Sequence, residues 1–150
     1  MNAPADPPPL DPDFAARIRD SFARQQAMAL IGARLATVGP GAVEIELPFR
    51  DDLTQQKGFV HGGIIGMIAD SAAGYAAFSL MPAGCSLVTV EYKMNILAPA
   101  TGSLVARGEV VKAGRTLTVA RAEVYAQDRT HVATMQQTLM MLAGRPDHPE

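Results

Sequence analysis

Several residue types are scarce in this chain of 150 residues, and each scarcity excludes a kind of core, crosslink or binding site. Tryptophan is absent, aromatic residues make up 5%, and Cys85 is the single cysteine. One cysteine excludes an intrachain disulfide and a cysteine-rich metal site. No neighbouring His or Lys would activate its thiol, so Cys85 is interpreted as a packing residue. The core must therefore be aliphatic, built from Ala, Val, Ile, Leu and eight Met.

Charge is scarce as well. Charged residues make up 19% of the chain and the formal net charge is −2, which gives no broad attraction for nucleic acid or an anionic membrane. The N-terminus lacks a basic segment followed by an apolar run, so no secretory signal is predicted. The apolar segment 62–81 is rich in Gly and Ala and contains Asp70, which argues against a membrane span. We expect a cytoplasmic protein.

The length fits one domain with a sizeable core. The proline-rich residues 1–10 are expected to be disordered, 11–143 to form the domain, and 144–150 to form a loose tail. Asp11-Pro12 has the form of an N-cap followed by a first-turn proline, and apolar residues recur after it at helical spacing. This pattern predicts a helix over 12–26.

The rest of the chain alternates between strand patterns and one long helix. Residues 33–38 and 43–47 flank a Gly-Pro-Gly turn and predict a β-hairpin. Residues 61–80 predict a helix that is apolar nearly all round and ends before Pro82. Four further strands, expected to form an antiparallel meander, are predicted over 86–97, 104–111, 117–125 and 132–142.

A helix that is apolar on all sides must be buried, and the simplest way to bury it is to wrap the sheet around it. Charged residues at alternate strand positions would mark the outer face of that sheet: Arg107, Glu109, Arg121 and Glu123. The predicted class is α+β. It is a hotdog fold, in which a curved antiparallel sheet of about six strands surrounds a long central helix, with an extra helix at the N-terminus.

Asp70 is the only acidic or basic residue between Gly62 and Val90. A carboxylate in so apolar a segment costs free energy unless it is hydrogen-bonded or lines a cavity. Asp70 is therefore a candidate for chemistry, and the alternative is a carboxylate that caps or pairs locally on a solvated helix face.

The predicted central helix begins with His61-Gly62-Gly63. Helix N-termini carry unpaired amides that polarise carbonyl oxygens, and glycine lets a carbonyl approach them. Gly62 and Asp70 lie about 12 Å apart along one helix, so a single helix cannot bring both to one carbonyl. Two antiparallel central helices of a twofold dimer can.

Close approach of two helices needs small side chains. A stripe of them runs along the helix at three- and four-residue steps: Gly63, Gly66, Asp70, Ala73, Gly74 and Ala77. We expect an obligate homodimer with two composite sites, and beyond it a dimer of dimers. The alternative is that this stripe packs on the protein's own sheet.

A longer pattern surrounds these residues: Gln55-x-x-Gly58-x-x-His61-Gly62-Gly63, then Asp70-Ser71-Ala72, then Glu91-Tyr92-Lys93-Met94-Asn95-Ile96-Leu97-Ala98-Pro99-Ala100, and Lys112-Ala113-Gly114-Arg115. The pattern resembles the hotdog acyl-CoA thioesterases of the phenylacetate-pathway (PaaI) type. The resemblance covers residues 30–142 and implies hydrolysis of an acyl- or aryl-CoA to a carboxylate and free CoA, with no cofactor.

The resemblance also implies roles for individual residues. Asp70 would be the nucleophile or the base that activates water, and the Gly62 amide would polarise the carbonyl. Gln55 stands where the family usually has Asn to orient water or the thioester. Thr89 would help to position the water. His61 is interpreted either as a residue that shapes the helix start or as a proton-transfer group.

Further residues are expected to bind substrate. Lys112 and Arg115 could meet the phosphates of CoA. Gly63, Met67 and Tyr75 would lie along the bound thioester and acyl group, with Phe78 as a further candidate for the acyl pocket. Lys57 is a further candidate for the phosphates. His131 and His148 do not complete a metal set with His61, so no metal is implied.

Two other functions remain open at this point. A hotdog hydratase or dehydratase would pair His61 with Asp70 of the partner subunit. A non-catalytic protein that binds acyl-CoA and regulates transcription would need a DNA-binding appendage, which the helix over 12–26 does not supply.

Overall fold

The computed structural model describes residues 8–148, so most of the segment 1–10 lies outside the described residues. Its helices are α1 (Phe14–Arg24), α2 (Gln26–Ile31) and α3 (Gly62–Ser79), with a short 3-10 turn at Asp51–Leu53. Its strands are β1 (Arg34–Gly39), β2 (Ala42–Leu47), β3 (Ser86–Ile96), β4 (Leu104–Ala113), β5 (Leu117–Ala126) and β6 (His131–Leu142).

The six strands form one antiparallel sheet in the order β1-β2-β4-β5-β6-β3. The hotdog prediction is confirmed, with α3 packed against the sheet and α1 as the added N-terminal helix. The prediction that β3 to β6 form one meander is wrong. Helix α3 carries the chain from β2 across the sheet to its far edge, so β3 pairs with β6, and β4 returns to pair with β2.

Helix α3 lies very close to the middle of the sheet. A Cβ on Gly108 of β4 would stand 2.2 Å from the backbone carbonyl of Ala72, so only glycine fits there. All residues from Ser71 to Met81 are buried, whereas His61 and Gly63 are exposed and Met67 and Asp70 are half-buried. The predicted burial of the helix is therefore confirmed for its C-terminal part, and its first half keeps an open face.

This packing corrects the predicted stripe of small residues. Ala73 and Ala77 are buried within the protomer, and Gly74 faces Leu139 of the protein's own sheet. The second half of the stripe thus fits the protein's own strands, because small side chains serve close helix–sheet packing as well as helix–helix packing. Only Gly63 and Asp70 keep accessible surface.

The N-terminal region forms two helices rather than the one predicted over 12–26. Gln25 adopts an extended conformation and separates α1 from α2. Asp11 does not cap α1 directly, since its carboxylate accepts a hydrogen bond from the amide of Asp13 at 2.9 Å and pairs with Arg17 at 2.8 Å. Arg17 in turn donates to the carbonyls of Phe78 and Met81 at the end of α3, which ties α1 to the central helix.

The charged residues predicted for the outer face lie there. Arg107 pairs with Glu44 at 2.8 Å, and Arg121 pairs with Glu109 at 2.7 Å across neighbouring strands. The final described residues are also in contact with the domain, because Asp147 pairs with Arg24 of α1 at 3.1 Å. Among residues 8–148, no helix is long and apolar enough to cross a membrane.

Gly108→Ala is expected to lower the free energy of unfolding by about 3 kcal/mol, because the new methyl group forces the sheet away from α3. Denaturant unfolding at fixed protein concentration measures the change. Gly39→Ala is the matched control, since a Cβ there meets only the Ala42 carbonyl at an ordinary 3.6 Å. Equal stability of the two variants would contradict the close approach of helix and sheet.

Candidate active site

The carboxylate of Asp70 has a partner from a distant part of the chain. The hydroxyl of Thr89, an exposed residue of β3, donates a hydrogen bond to Asp70 Oδ1 at 2.8 Å. The partner is nineteen residues away in sequence, so Asp70 is neither a local cap nor one half of a surface ion pair. The half-buried carboxylate is held in a fixed direction while its other oxygen stays available to a reacting group.

Asp70 and Thr89 lie at the wall of a cavity of about 150 Å³. Ten residues line this cavity: Ser21, Gln25, Asp70, Ser71, Gly74, Tyr75, Phe78, Leu87, Thr89 and Asp147. Tyr75 and Phe78, which the sequence suggested for the acyl group, are therefore neighbours of the candidate carboxylate. We call this space the Asp70 cavity.

His61 is the N-cap of α3. Its ring nitrogen Nδ1 accepts a hydrogen bond from the Gly63 amide at 2.9 Å, as an Asn or Ser side chain does at other helix starts. In the neutral ring the proton therefore lies on Nε2. The Gly63 amide is occupied by this bond, which leaves the amide of Gly62 as the helix-terminal donor for an incoming carbonyl.

Gln55 and Gly62 line a groove of about 360 Å³ that is separate from the Asp70 cavity. The backbone of Gln55 exchanges hydrogen bonds within the turn that leads to α3, and its side-chain Oε1 accepts from the amide of Lys57. The remaining wall of the groove is apolar and comes from the loop before α3, from α3, and from the end of β3 with the segment after it: Phe59, Val60, Ile65, Ile96, Leu97, Ala98, Pro99 and Ala100. We call this the Gly62 groove.

The predicted catalytic residues thus fall into two groups within one protomer. Asp70 and Thr89 border the Asp70 cavity, whereas Gln55 and Gly62 border the Gly62 groove. About 12 Å of helix separates the two groups. Neither group alone offers a carbonyl both a carboxylate and a helix-terminal amide.

The remaining predicted residues are more dispersed. Gly63 and Met67 lie with His61 in a third open space of about 430 Å³, beside the exposed face of α3. Lys112 and Arg115 are exposed around the β4–β5 turn, and Lys57 is exposed in the loop before α3. None of these three cations borders the Asp70 cavity or the Gly62 groove.

Gln137 of β6 is a site neighbour that the sequence reasoning missed. Its side chain is completely buried, and its amide nitrogen lies 3.4 Å from the backbone carbonyl of Asp70. Its Oε1 has no partner among the described residues. A polar residue at an inward position between Met135 and Leu139 is the signal that could have identified it. Ser21 and Gln25 were also missed, because α1 offered only an apolar pattern.

The other nucleophilic and metal-ligating residues lie elsewhere. Cys85 is buried, and that burial raises the pKa of its thiol. His131 pairs with Glu123 at 2.6 Å on the outer face, and His148 lies near Asp20. Within 8–148, no three His, Cys, Asp or Glu side chains come together as ligands of a metal ion would.

A hotdog sheet, a carboxylate halfway along the central helix and a glycine pair at its start together define the class of protein. The thioesterase superfamily model matches residues 57–133, and the chain belongs to the thioesterase superfamily. That match includes α3 with Asp70 and all of β3 to β5.

Particular relatives are similar over most of the chain. A thioesterase family protein from Silicibacter pomeroyi is 52% identical, with a TM-score of 0.85, over 87% of this chain and 99% of that one. A Streptococcus mutans protein whose structure holds acetyl-CoA is 27% identical, with a TM-score of 0.69, over 75% and 90% of the two chains. A Halobacterium salinarum protein named "Putative esterase" is 30% identical over 77% of this chain and 80% of its own.

The E. coli PaaI protein of the phenylacetic acid degradation operon shares the fold. It is 19% identical, with a TM-score of 0.83, over 91% of this chain and 99% of that one.

His61→Asn should preserve the cap of α3, whereas His61→Ala should lower the free energy of unfolding by about 1 kcal/mol, because Asn is a good N-cap and Ala is not. Turnover of His61→Asn should stay within about tenfold of the parent, below the loss of 10²–10⁴ typical when a general base is removed. Denaturation and thioester hydrolysis measure the two effects. A loss of 10³ or more in a stable His61→Asn variant would instead make His61 a proton-transfer group.

Proposed function

We propose that the protein is an acyl-CoA thioesterase of the PaaI type, which hydrolyses a thioester to a carboxylate and free CoA. The observation that carries this proposal is the Asp70 carboxylate, oriented by Thr89 at the wall of a cavity large enough for an acyl group. Membership of the thioesterase superfamily supports the reaction class. The bound acetyl-CoA of the Streptococcus mutans relative supports CoA as the carrier.

Asp70 has two possible roles in this reaction. As a base it would take a proton from water while the water oxygen bonds to the carbonyl carbon, and that proton would leave with the thiolate when the C–S bond breaks. As a nucleophile its oxygen would form an anhydride and expel the thiolate, and water would then hydrolyse the anhydride. In either role, the hydrogen bond from Thr89 fixes which carboxylate oxygen faces the thioester.

The developing oxyanion needs a hydrogen-bond donor. The helix-terminal amide of the same protomer, that of Gly62, lies about 12 Å from Asp70 along α3, too far to serve the same carbonyl. We therefore propose that the donor is Gly62 of a second subunit, with the partner's Gln55 beside the thioester. Two antiparallel copies of α3 would place each N-terminus near the other's Asp70. The twofold axis would then generate two composite sites.

The edge strand β3 supports such a dimer. It has eleven residues, pairs on one side only with β6, and exposes apolar side chains along its length. Val90 is 53% exposed and Tyr92 49%. A long apolar edge of this kind is a template for pairing with another strand, and a partner's β3 would continue the sheet across the axis. The other edge strand, β1, has only six residues.

The geometry of His61 disfavours a hydratase. That chemistry would require the imidazole as a base, but Nδ1 is engaged with the Gly63 amide and Nε2 carries the proton of the neutral ring.

CoA itself would approach from the surface, where Lys112 and Arg115 of either subunit are free to meet its phosphates.

Asp70→Asn should reduce kcat for acyl-CoA hydrolysis by about 10²–10⁴, because it removes the base or nucleophile while keeping the shape of the side chain. Thr89→Val should reduce kcat by about 10- to 100-fold, the value of one hydrogen bond to a charged group. A thiol-release assay over a panel of acyl-CoAs measures both. Asp128→Asn, in the β5–β6 turn, is the control, and parent-like turnover of Asp70→Asn would remove the proposed mechanism.

Mixed dimers test whether the site is shared. Asp70→Asn and Gln55→Ala subunits are first assayed alone, where each should be impaired, and are then mixed under conditions that exchange subunits. Half of the randomly formed dimers are mixed, and one of their two sites contains both intact residues, so about a quarter of parent activity should return.

Sites built within single subunits would give no recovery, because every site in the mixture would then contain one substitution. Full activity of Gln55→Ala on its own would contradict the role proposed for Gln55.

A further inference from the structure

The Asp70 cavity has an unusually polar wall for a space that would hold an acyl group. Beyond the reacting pair and the carboxylate of Asp147, four neutral side chains with hydrogen-bonding atoms line it: Ser21, Gln25, Ser71 and Tyr75. Ser21 and Gln25 come from α1 and its junction with α2, which lie outside the residues matched by the superfamily model. We call these four residues the polar wall.

The strongest feature of the polar wall is the pair of hydroxyls on Ser21 and Tyr75. Their oxygens lie 3.2 Å apart, and both residues are less than a tenth exposed. Two hydroxyls that share one hydrogen bond use only one of their two protons, so the pair keeps one O–H to donate to a third group. Burial raises the pKa of Tyr75, which keeps the phenol protonated as a donor.

The pair is also held in place. The ring of Phe22 packs against the ring of Tyr75 with centroids 5.8 Å apart. On the same wall, the hydroxyl of Ser71 lies 3.4 Å from Oε1 of Gln25. These contacts fix the wall before substrate arrives, and fixed polar groups discriminate strongly between ligands that satisfy them and ligands that do not.

The volume of the cavity limits the size of the acyl group. The Asp70 cavity is open to the surface, and the space between its walls is about 150 Å³, the volume that one benzene molecule fills in a protein interior. About six heavy atoms beyond the thioester carbonyl therefore fit between its walls. The charges at the cavity wall limit which end groups the acyl chain can carry. The carboxylates of Asp70 and Asp147 both border the cavity, so an acyl group that ends in a carboxylate would meet like charge.

We propose that Tyr75 and Ser21 determine acyl specificity, and select compact acyl groups whose end remote from the thioester carries a neutral hydrogen-bonding oxygen. This inference rests on the thioesterase function proposed above. It adds the class of acyl group and assigns the selection to a helix at the N-terminus rather than to the central helix alone.

Three thioesters of matched length test the proposal: 6-hydroxyhexanoyl-CoA, heptanoyl-CoA, which replaces the hydroxyl by a methyl group, and adipoyl-CoA, which ends in a carboxylate. The parent should favour the hydroxyacyl substrate over heptanoyl-CoA by about tenfold in kcat/KM, the value of one well-made hydrogen bond, and should disfavour adipoyl-CoA. Tyr75→Phe and Ser21→Ala should each bring the hydroxyacyl preference close to one.

Two further variants sharpen the test. Arg19→Ala, on the exposed side of α1, should leave the preference unchanged. Tyr75→Ala should move the preferred acyl length upward by two or more carbons, because the lost ring enlarges the cavity. If that variant does not fold, Tyr75→Phe and Ser21→Ala still decide the question, because they keep the packing.

The outcomes separate the two proposals. An active parent without the hydroxyacyl preference, or with a preference that Tyr75→Phe leaves intact, overturns the role of the hydroxyl pair while the thioesterase function stands. A parent that releases no thiol from any acyl-CoA overturns both.

Discussion

The close approach of α3 to the sheet is the constraint on which the rest of the molecule depends. With Gly108 under the Ala72 carbonyl, the second half of the helix is buried within its own protomer, against its own strands and α1. The first half is left with an open face that ends at Asp70. The reaction is therefore confined to the segment where α3 passes from solvent into the core. A carboxylate at that boundary can be oriented by the protein and still be reached by substrate.

Asp70 shows how such a boundary position resolves the cost of a carboxylate in an apolar segment. Full burial would remove the hydration of the carboxylate, and full exposure would leave its direction unfixed. The half-buried site gives it one fixed donor in Thr89 and a cavity on the other side. Gln137 lies beneath the helix at the same level and contacts the Asp70 carbonyl, so backbone and side chain of the same residue are held from two strands.

Local signals in the sequence were sufficient for the hairpin, the central helix and the later strands, and the lone Asp70 pointed to the carboxylate. Strand order could not be predicted from such local signals, because the pairing of β3 with β6 depends on which edge of the sheet the chain reaches after α3. The packing partner of the small-residue stripe could not be predicted from local signals either. Gly74 and Ala77 fit a partner helix and the protein's own sheet equally well by spacing, and only the depth of packing separates the two. Gln25 broke the first helix without any Gly or Pro to signal it.

The division between core and periphery has a consequence for how specificity can vary. The carboxylate and its threonine lie on α3 and β3, and changes there alter the reaction and the packing together. Half of the polar wall is different, because Ser21 lies on α1 and Gln25 at its junction with α2, outside the sheet and its central helix. Arg17 anchors α1 to the end of α3 independently of those two residues. Substitutions of Ser21 and Gln25 can therefore change the acyl group that fits while the anchor and the reacting carboxylate stay where they are, which lets one scaffold serve different thioesters.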